Sequence, residues 1–283
     1  MSLRRLMHAH LGDWQNDLPP AWREFFRDCP ALDFDLVPEI QVAEEARIWP
    51  GRRNAPLPGA PEWANICRAF DNLDPGQVRV LILGQDPYPR LNRATGRAFE
   101  DGGWDEANPM VVADSLRRLL QLAAALEYPD LGISEEDDDW DSVRDAMRKE
   151  VIAPPATPAF FDAMAAQGVL FVNAAWTFTS TDRAQKKAHL RIWKPVVNHL
   201  LRNLARSDQP VVFLLLGEDA RKVFCAADPV CNRSAIVDDD HPRSGQFFQR
   251  TSPLLRVNQV LDHVGADRIQ WWPLQQADAE EPE

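Results

Sequence analysis

The chain has 283 residues, 45% of them apolar, enough to bury a substantial core as one domain or at most two. It contains no membrane-length apolar run, signal-peptide segment or CxxC pair among Cys29, Cys67, Cys225 and Cys231, which argues against membrane, export and iron–sulfur classes and for a reduced, cytoplasmic protein. A formal charge of −12 and an isoelectric point near 5.0 sit awkwardly with nucleic-acid binding, whose affinity comes largely from Lys and Arg on phosphates. Up to about Leu73 the chain reads as helices interrupted by a Pro/Gly-rich loop from Pro50 to Pro61. Strands are then predicted at Val78–Leu83, Val169–Val172, Val211–Leu216 and Ala235–Val237, alternating with helices at Leu116–Leu126, Ile192–Ala205 and Leu254–Val264. That alternation predicts one α/β domain, with a central, mainly parallel four-stranded sheet between two helical layers.

The charge is unevenly spread. Much of the acid sits in Glu135-Glu136-Asp137-Asp138-Asp139 with Asp141, and in a tail, expected to be flexible from about 275, with Asp278, Glu280, Glu281 and Glu283. Such runs read as solvated segments. The stretch from Tyr128 to Pro158, acidic first and proline-rich last, reads as a surface excursion without catalytic role. Basic groups gather elsewhere: Arg90, Arg93 and Arg97; Lys186, Lys187, Arg191 and Lys194; Arg243 and Arg250.

The four aliphatics Val80-Leu81-Ile82-Leu83 have the pattern of a strand buried on both faces. The run stops at Gly84, where the chain can turn sharply, and Pro87 and Pro89 stiffen the loop beyond it. Asp86 is thus predicted in a rigid loop at the carboxyl end of a central strand, where open α/β sheets bind their ligands. Asn173, Gly217 and His241 also come directly after predicted strands, so all four should converge on one edge.

Gly84-Gln85-Asp86-Pro87-Tyr88 resembles the water-activating motif of the family-1 uracil-DNA glycosylases. Further matches occur downstream in order. Ala94-Thr95-Gly96-Arg97-Ala98-Phe99 resembles the segment carrying the base-stacking phenylalanine, and Gly168-Val169-Leu170-Phe171-Val172-Asn173 the strand ending in the uracil-reading asparagine. Val211 to Gly217 resembles a third strand, and His241-Pro242 with Phe247-Phe248 the family's histidine loop. The similarity runs from about Trp14 to about Pro273. It implies a monomeric enzyme that acts on uracil-containing DNA without metal or cofactor. Asp86 and His241 would be catalytic, and Gln85, Tyr88, Phe99 and Asn173 would bind uracil. Ser115, Arg243, Ser244, Gln246, Lys186 and Lys187 would touch the DNA.

Several positions depart from the family. Pro89 stands where the family has a histidine. Val112-Ala113-Asp114-Ser115 keeps the phosphate-binding serine without its prolines, and Gly217-Glu218 puts a carboxylate where a phosphate would lie. The histidine loop from His241 to Phe248 lacks the proline-leucine segment and its intercalating leucine, which points to a divergent subfamily that prefers single-stranded DNA. Two other functions fit the same residues: a non-catalytic uracil-DNA binder, or a related glycosylase preferring another damaged base.

Overall fold

Strands β1 (Val80–Gly84), β2 (Val169–Asn173), β3 (Val212–Leu216) and β4 (Ile236–Asp239) form one sheet in the spatial order β2-β1-β3-β4, every neighbouring pair parallel. The computed structural model describes residues 1–104, 111–153 and 156–273; the acidic tail lies outside these. Every residue of β1, β2 and β3 is buried, as a sheet covered on both faces requires. Alternate side chains separate into two cores. Leu81, Leu83, Leu170, Val172, Phe213 and Leu215 join one; Val80, Ile82, Val169, Phe171, Val212 and Leu214 join the other.

Helices α1 (Leu3–Leu11), α2 (Pro20–Phe25), α6 (Arg183–Leu204) and α7 (Glu218–Ala227) cover the first face. Helices α3 (Asp114–Glu127), α4 (Trp140–Arg148), α5 (Ala159–Ala166) and α8 (Pro253–His263) cover the second. The predicted three-layer sandwich is therefore the fold.

Three local expectations are corrected. The N-terminal helices end at Phe25, and from there to β1 the chain makes only single 3-10 turns, because prolines at positions 30, 38, 50, 56, 58, 61 and 75 interrupt any longer helix. Helix α6 starts at Arg183 instead of Ile192, capped by the Asp182 carboxylate, which accepts the backbone N–H groups of Ala184 and Gln185 at 3.0 Å. It runs through Pro195, whose missing hydrogen bond is offset by a buried face that includes Ile192, Trp193, Val196 and Leu200. The stretch from 128 to 158 is also more than a surface excursion: Ile133, Trp140, Val143, Met147 and Ile152 are buried in the second core.

Arg97, expected among the exposed basic groups, is instead buried, next to the Ala98 N–H that donates to Phe171 of β2 and against Asp162 of α5. Its guanidinium reaches Glu100 at 3.4 Å and Asp162 at 2.9 Å, while Arg68 holds the same Asp162 oxygen at 2.8 Å. Burial pushes the Glu100 carboxyl above its usual range, and Arg97 and Arg68 pull it back. This cluster anchors the turn bearing Phe99, whose φ of +62° is unusual for a residue with a side chain. Removing one partner leaves a buried charge uncompensated. Arg97→Ala is expected to lower the unfolding free energy by about 3–5 kcal/mol in urea titration, and a loss below about 1 kcal/mol would show that the cluster does not hold the turn.

Candidate active site

The carboxyl edge of the sheet opens into a cavity of about 330 Å³. Asp86, Tyr88, Phe99, Asn173, Lys186, His241 and Arg243 all line it, as do Gln85 and Ser115. Register explains the convergence. Gly84 pairs with Asn173 across β1 and β2, and the Gly217 N–H donates to the Asp239 carbonyl at 2.8 Å where β3 and β4 end. A Cβ on Gly84 would overlap Asn173 Oδ1, and one on Gly217, at φ +99°, would press on the His241 side chain. These two glycines make room for the polar groups beside them.

Asp86 carries one oxygen 2.7 Å from Lys186 Nζ. The ammonium also lies 5.6 Å from the centre of the Phe178 ring, so two contacts hold it at the carboxylate. The early start of α6 brings Lys186 here. It was expected to touch DNA, and it pairs with the acid. Gln85 lines the cavity, but its side-chain amide donates to Asp219 at 3.0 Å, turned toward α7.

Tyr88 donates its hydroxyl to the Phe99 carbonyl at 3.2 Å, and burial pushes that hydroxyl well above the ordinary tyrosine range, so it stays a donor. The bond ties the Tyr88 loop to the Phe99 turn. Asn173, at the end of β2, is buried and presents an amide with both donor and acceptor capacity.

His241 is half-buried, and burial first, then the nearby Arg243 charge, hold its pKa below 6.5 against the opposing pull of Asp219 and Asp86. Its Nδ1 accepts the backbone N–H of Arg243 at 3.1 Å. A neutral imidazole whose Nδ1 accepts must carry its proton on Nε2. The site therefore combines a carboxylate with a neutral N–H donor, a pair suited to a bond whose cleavage makes a cation on one side and an anion on the other.

A second cleft of about 430 Å³ continues from the first past Tyr88, Pro89 and Ser115, between Arg90, Arg93 and Arg243. Arg93 is partly taken up by Asp101 at 2.8 Å; Arg90 and Arg243 are exposed. Ser244, Gln246 and Lys187 do not line either cavity. Gln246 and Lys187 are exposed, and Glu218, expected to disturb phosphate binding, is exposed and paired with Lys222 at 2.8 Å. The sequence reading missed Phe178 and Thr181, which line the site beyond β2, and Arg118, one helical turn after Ser115. The Ser115 to Arg118 spacing, which shares one helix face, was the signal available for the last.

The chain is similar to known proteins in sequence and in fold. The chain is 29% identical over 231 residues to the uracil-DNA glycosylase of Mycobacterium avium, covering 80% of this chain and 84% of that one. It is 28% identical over 237 residues to the enzyme of the same name from Lactococcus lactis, covering 82% and 87%. In fold it is similar to the crystal structure of UNG from Nitratifractor salsuginis, with a TM-score of 0.61 at 20% identity, over 96% of this chain and 99% of that one. Mimivirus uracil-DNA glycosylase gives a TM-score of 0.62 at 18% identity, over 96% and 93%. The family model described as the Uracil DNA glycosylase superfamily matches residues 70–268, the stretch that holds all four strands and the whole cavity, and the chain belongs to that superfamily.

Proposed function

We propose that this protein hydrolyses the N-glycosidic bond of uracil in DNA, releasing the free base and leaving an abasic site for base-excision repair. The observation that carries this reading is the Asp86 carboxylate sharing one cavity with a neutral, Nε2-protonated His241. As the bond breaks, positive charge grows on the sugar and negative charge on the base. Asp86 stabilises the first and orients the attacking water, and His241 donates to the second. Asn173 reads the carbonyl and ring N–H of uracil, while cytosine offers the opposite pattern at that edge. Tyr88, fixed through the Phe99 carbonyl, stands against the thymine methyl, and Phe99 stacks on the flipped ring. Retention of both Asp86 and His241 favours turnover over mere binding. The four free cysteines suit a reducing cytoplasm, and the protein works as a monomer.

Lys186 takes part in a charge exchange. Its ammonium sits beside Asp86, where the sugar cation would develop. An arriving phosphate offers it another anion, and its transfer there bares the carboxylate as the nucleotide enters. The grip on DNA is otherwise thin. Phe247 and Phe248 are buried in the second core and Pro242 is buried beside them, so the histidine loop exposes no large apolar side chain to fill the gap left by a flipped base. Exposed Arg243, which can stack and hold a phosphate, takes that place.

The direct test is a uracil-containing oligonucleotide with alkali to reveal abasic sites, alongside thymine and cytosine controls. Asp86→Asn and His241→Ala should each lose at least about 100-fold in single-turnover excision with the fold intact. A variant that retains near-full rate removes its residue from the mechanism.

The pH profile is set by His241. Its depressed pKa keeps the neutral form above pH 6.5 and yields it only as the pH falls through the lowered value. Protonating Nδ1 would set it against the Arg243 N–H. Excision should therefore hold steady through pH 6.5 and fall only as the pH drops through the lowered value. Arg243→Ala removes a cation that lowers the pKa, so the acid limb should move up toward 6.5; an unmoved limb would assign it to another group.

Single-stranded uracil should be cleaved faster than paired uracil, since unstacking a duplex base costs a few kcal/mol and the histidine loop offers no apolar wedge to compensate. Arg243→Ala should lose more on duplex, and a protein inhibitor that mimics DNA and grips an intercalating leucine should bind poorly. Lys186→Met should weaken DNA binding and cut the slope of log K against log salt by about 1. An unchanged slope would mean that Lys186 stays on Asp86.

A further inference from the structure

The loop that carries His241 is held from outside the sheet. Arg118, on α3, donates from Nη1 to the carbonyls of Pro242 at 2.7 Å and Ser244 at 2.9 Å, and its guanidinium lies 5.5 Å from the centre of the Phe248 ring. Nη2 of the same fork reaches the Asp138 carboxylate at 3.4 Å, and Arg117 holds that carboxylate at 2.8 Å. Asp138 belongs to the acidic run that the sequence presents as a solvated stretch. The run is nonetheless tied down. The buried Gln121 amide donates to the carbonyls of Ser134 at 2.8 Å and Asp137 at 2.7 Å, and its oxygen accepts the Asp139 N–H at 2.9 Å. Trp140 and Val143 then enter the core directly after it. The carboxylate is thus delivered to Arg118 by fixed backbone.

From this we infer that Arg118, oriented by Asp138, is a positioning residue for His241. The inference rests on the role given to His241 above. The two carbonyls that Arg118 gathers flank Arg243, whose N–H meets His241 Nδ1, and the Ser244 N–H closes the turn on the His241 carbonyl at 2.7 Å. Gathering them fixes the turn that keeps Nδ1 an acceptor and leaves the Nε2 proton facing the cavity. Only a planar fork reaches two carbonyls and a carboxylate together, so lysine is a poor replacement. The segment from 128 to 158 then has a function: it supplies the acid that orients the brace of a short histidine loop.

The test is a mutant cycle under single-turnover conditions at saturating single-stranded DNA, with each variant's folded fraction set by urea titration. Arg118→Ala should slow excision by about 100-fold, as a displacement of about 1 Å in a catalytic group does, with a smaller effect on DNA affinity. Arg118→Lys should recover little of this, and Asp138→Asn should lose less than Arg118→Ala. In a His241→Ala background, Arg118→Ala should cost under about 3-fold, because the group it positions is gone. The loss should also shrink on 5-fluorouracil, whose anion is a better leaving group and depends less on the His241 donor. Equal losses in both backgrounds and on both bases would overturn the inference while leaving His241 catalytic. A His241→Ala variant with full activity would overturn both. If Arg118→Ala does not fold, Asp138→Asn and Arg118→Lys run the same cycle.

Discussion

The dryness of β1 is the constraint on which the rest of the molecule depends. It lies between β2 and β3 with every residue buried, so no polar side chain can leave it sideways. Chemistry is confined to its carboxyl end, where the chain must turn at once from aliphatic strand to polar loop. Gly84 allows this by giving its Cβ space to the Asn173 amide, and Gly217 does the same for His241 one strand away. A side chain at Gly84 would press on Asn173 Oδ1 and on the buried Ala98, and one at Gly217 on His241. The boundary between core and site is therefore set by two missing Cβ atoms.

Charge is used inward before it is used outward. Arg97 and Arg68 serve a buried acid cluster behind the Phe99 turn. Arg52, also buried, holds Asp17 at 2.7 Å and Asp13 at 2.6 Å near the N-terminus. Arg118 gathers loop carbonyls, and Arg256 with Arg221 fastens the end of β4 through Asp238 and Asp239. Arginine suits these places because it stays charged and its fork meets several oxygens at once. The consequence is that few cations remain free beside the cavity. With so small a basic surface, the DNA contacts proposed for Lys186 and Arg243 would weigh more than they would on a basic protein.

The Asp86 carboxylate shows the same economy of charge. Alone in a half-buried cavity it would repel an approaching phosphodiester. Paired with Lys186 it is a neutral unit, and the proposed exchange would open that pair toward a phosphate. The Phe178 ring beside the ammonium gives the cation a second contact at this place.

The sequence by itself determined the layered α/β fold, the four strands and the convergence of Asp86, Asn173 and His241, because aliphatic runs of strand length ending in glycine or polar residues have few other solutions. The resemblance carried by the Gly84 to Tyr88 motif and its ordered successors implied the roles proposed for them. What the sequence did not reveal were partners joined by folding alone. Nothing local distinguishes buried Arg97 from exposed Arg90, and their fates differ because Asp162, far along the chain, folds against one and not the other. Lys186 reached Asp86 because α6 begins earlier than its apolar stripe suggested, and Asp138 reached Arg118 because a buried Gln121 folded the acidic run onto α3. Periodicity records which face of an element is dry. Which charges meet across elements depends on tertiary distances, and those only the fold decided.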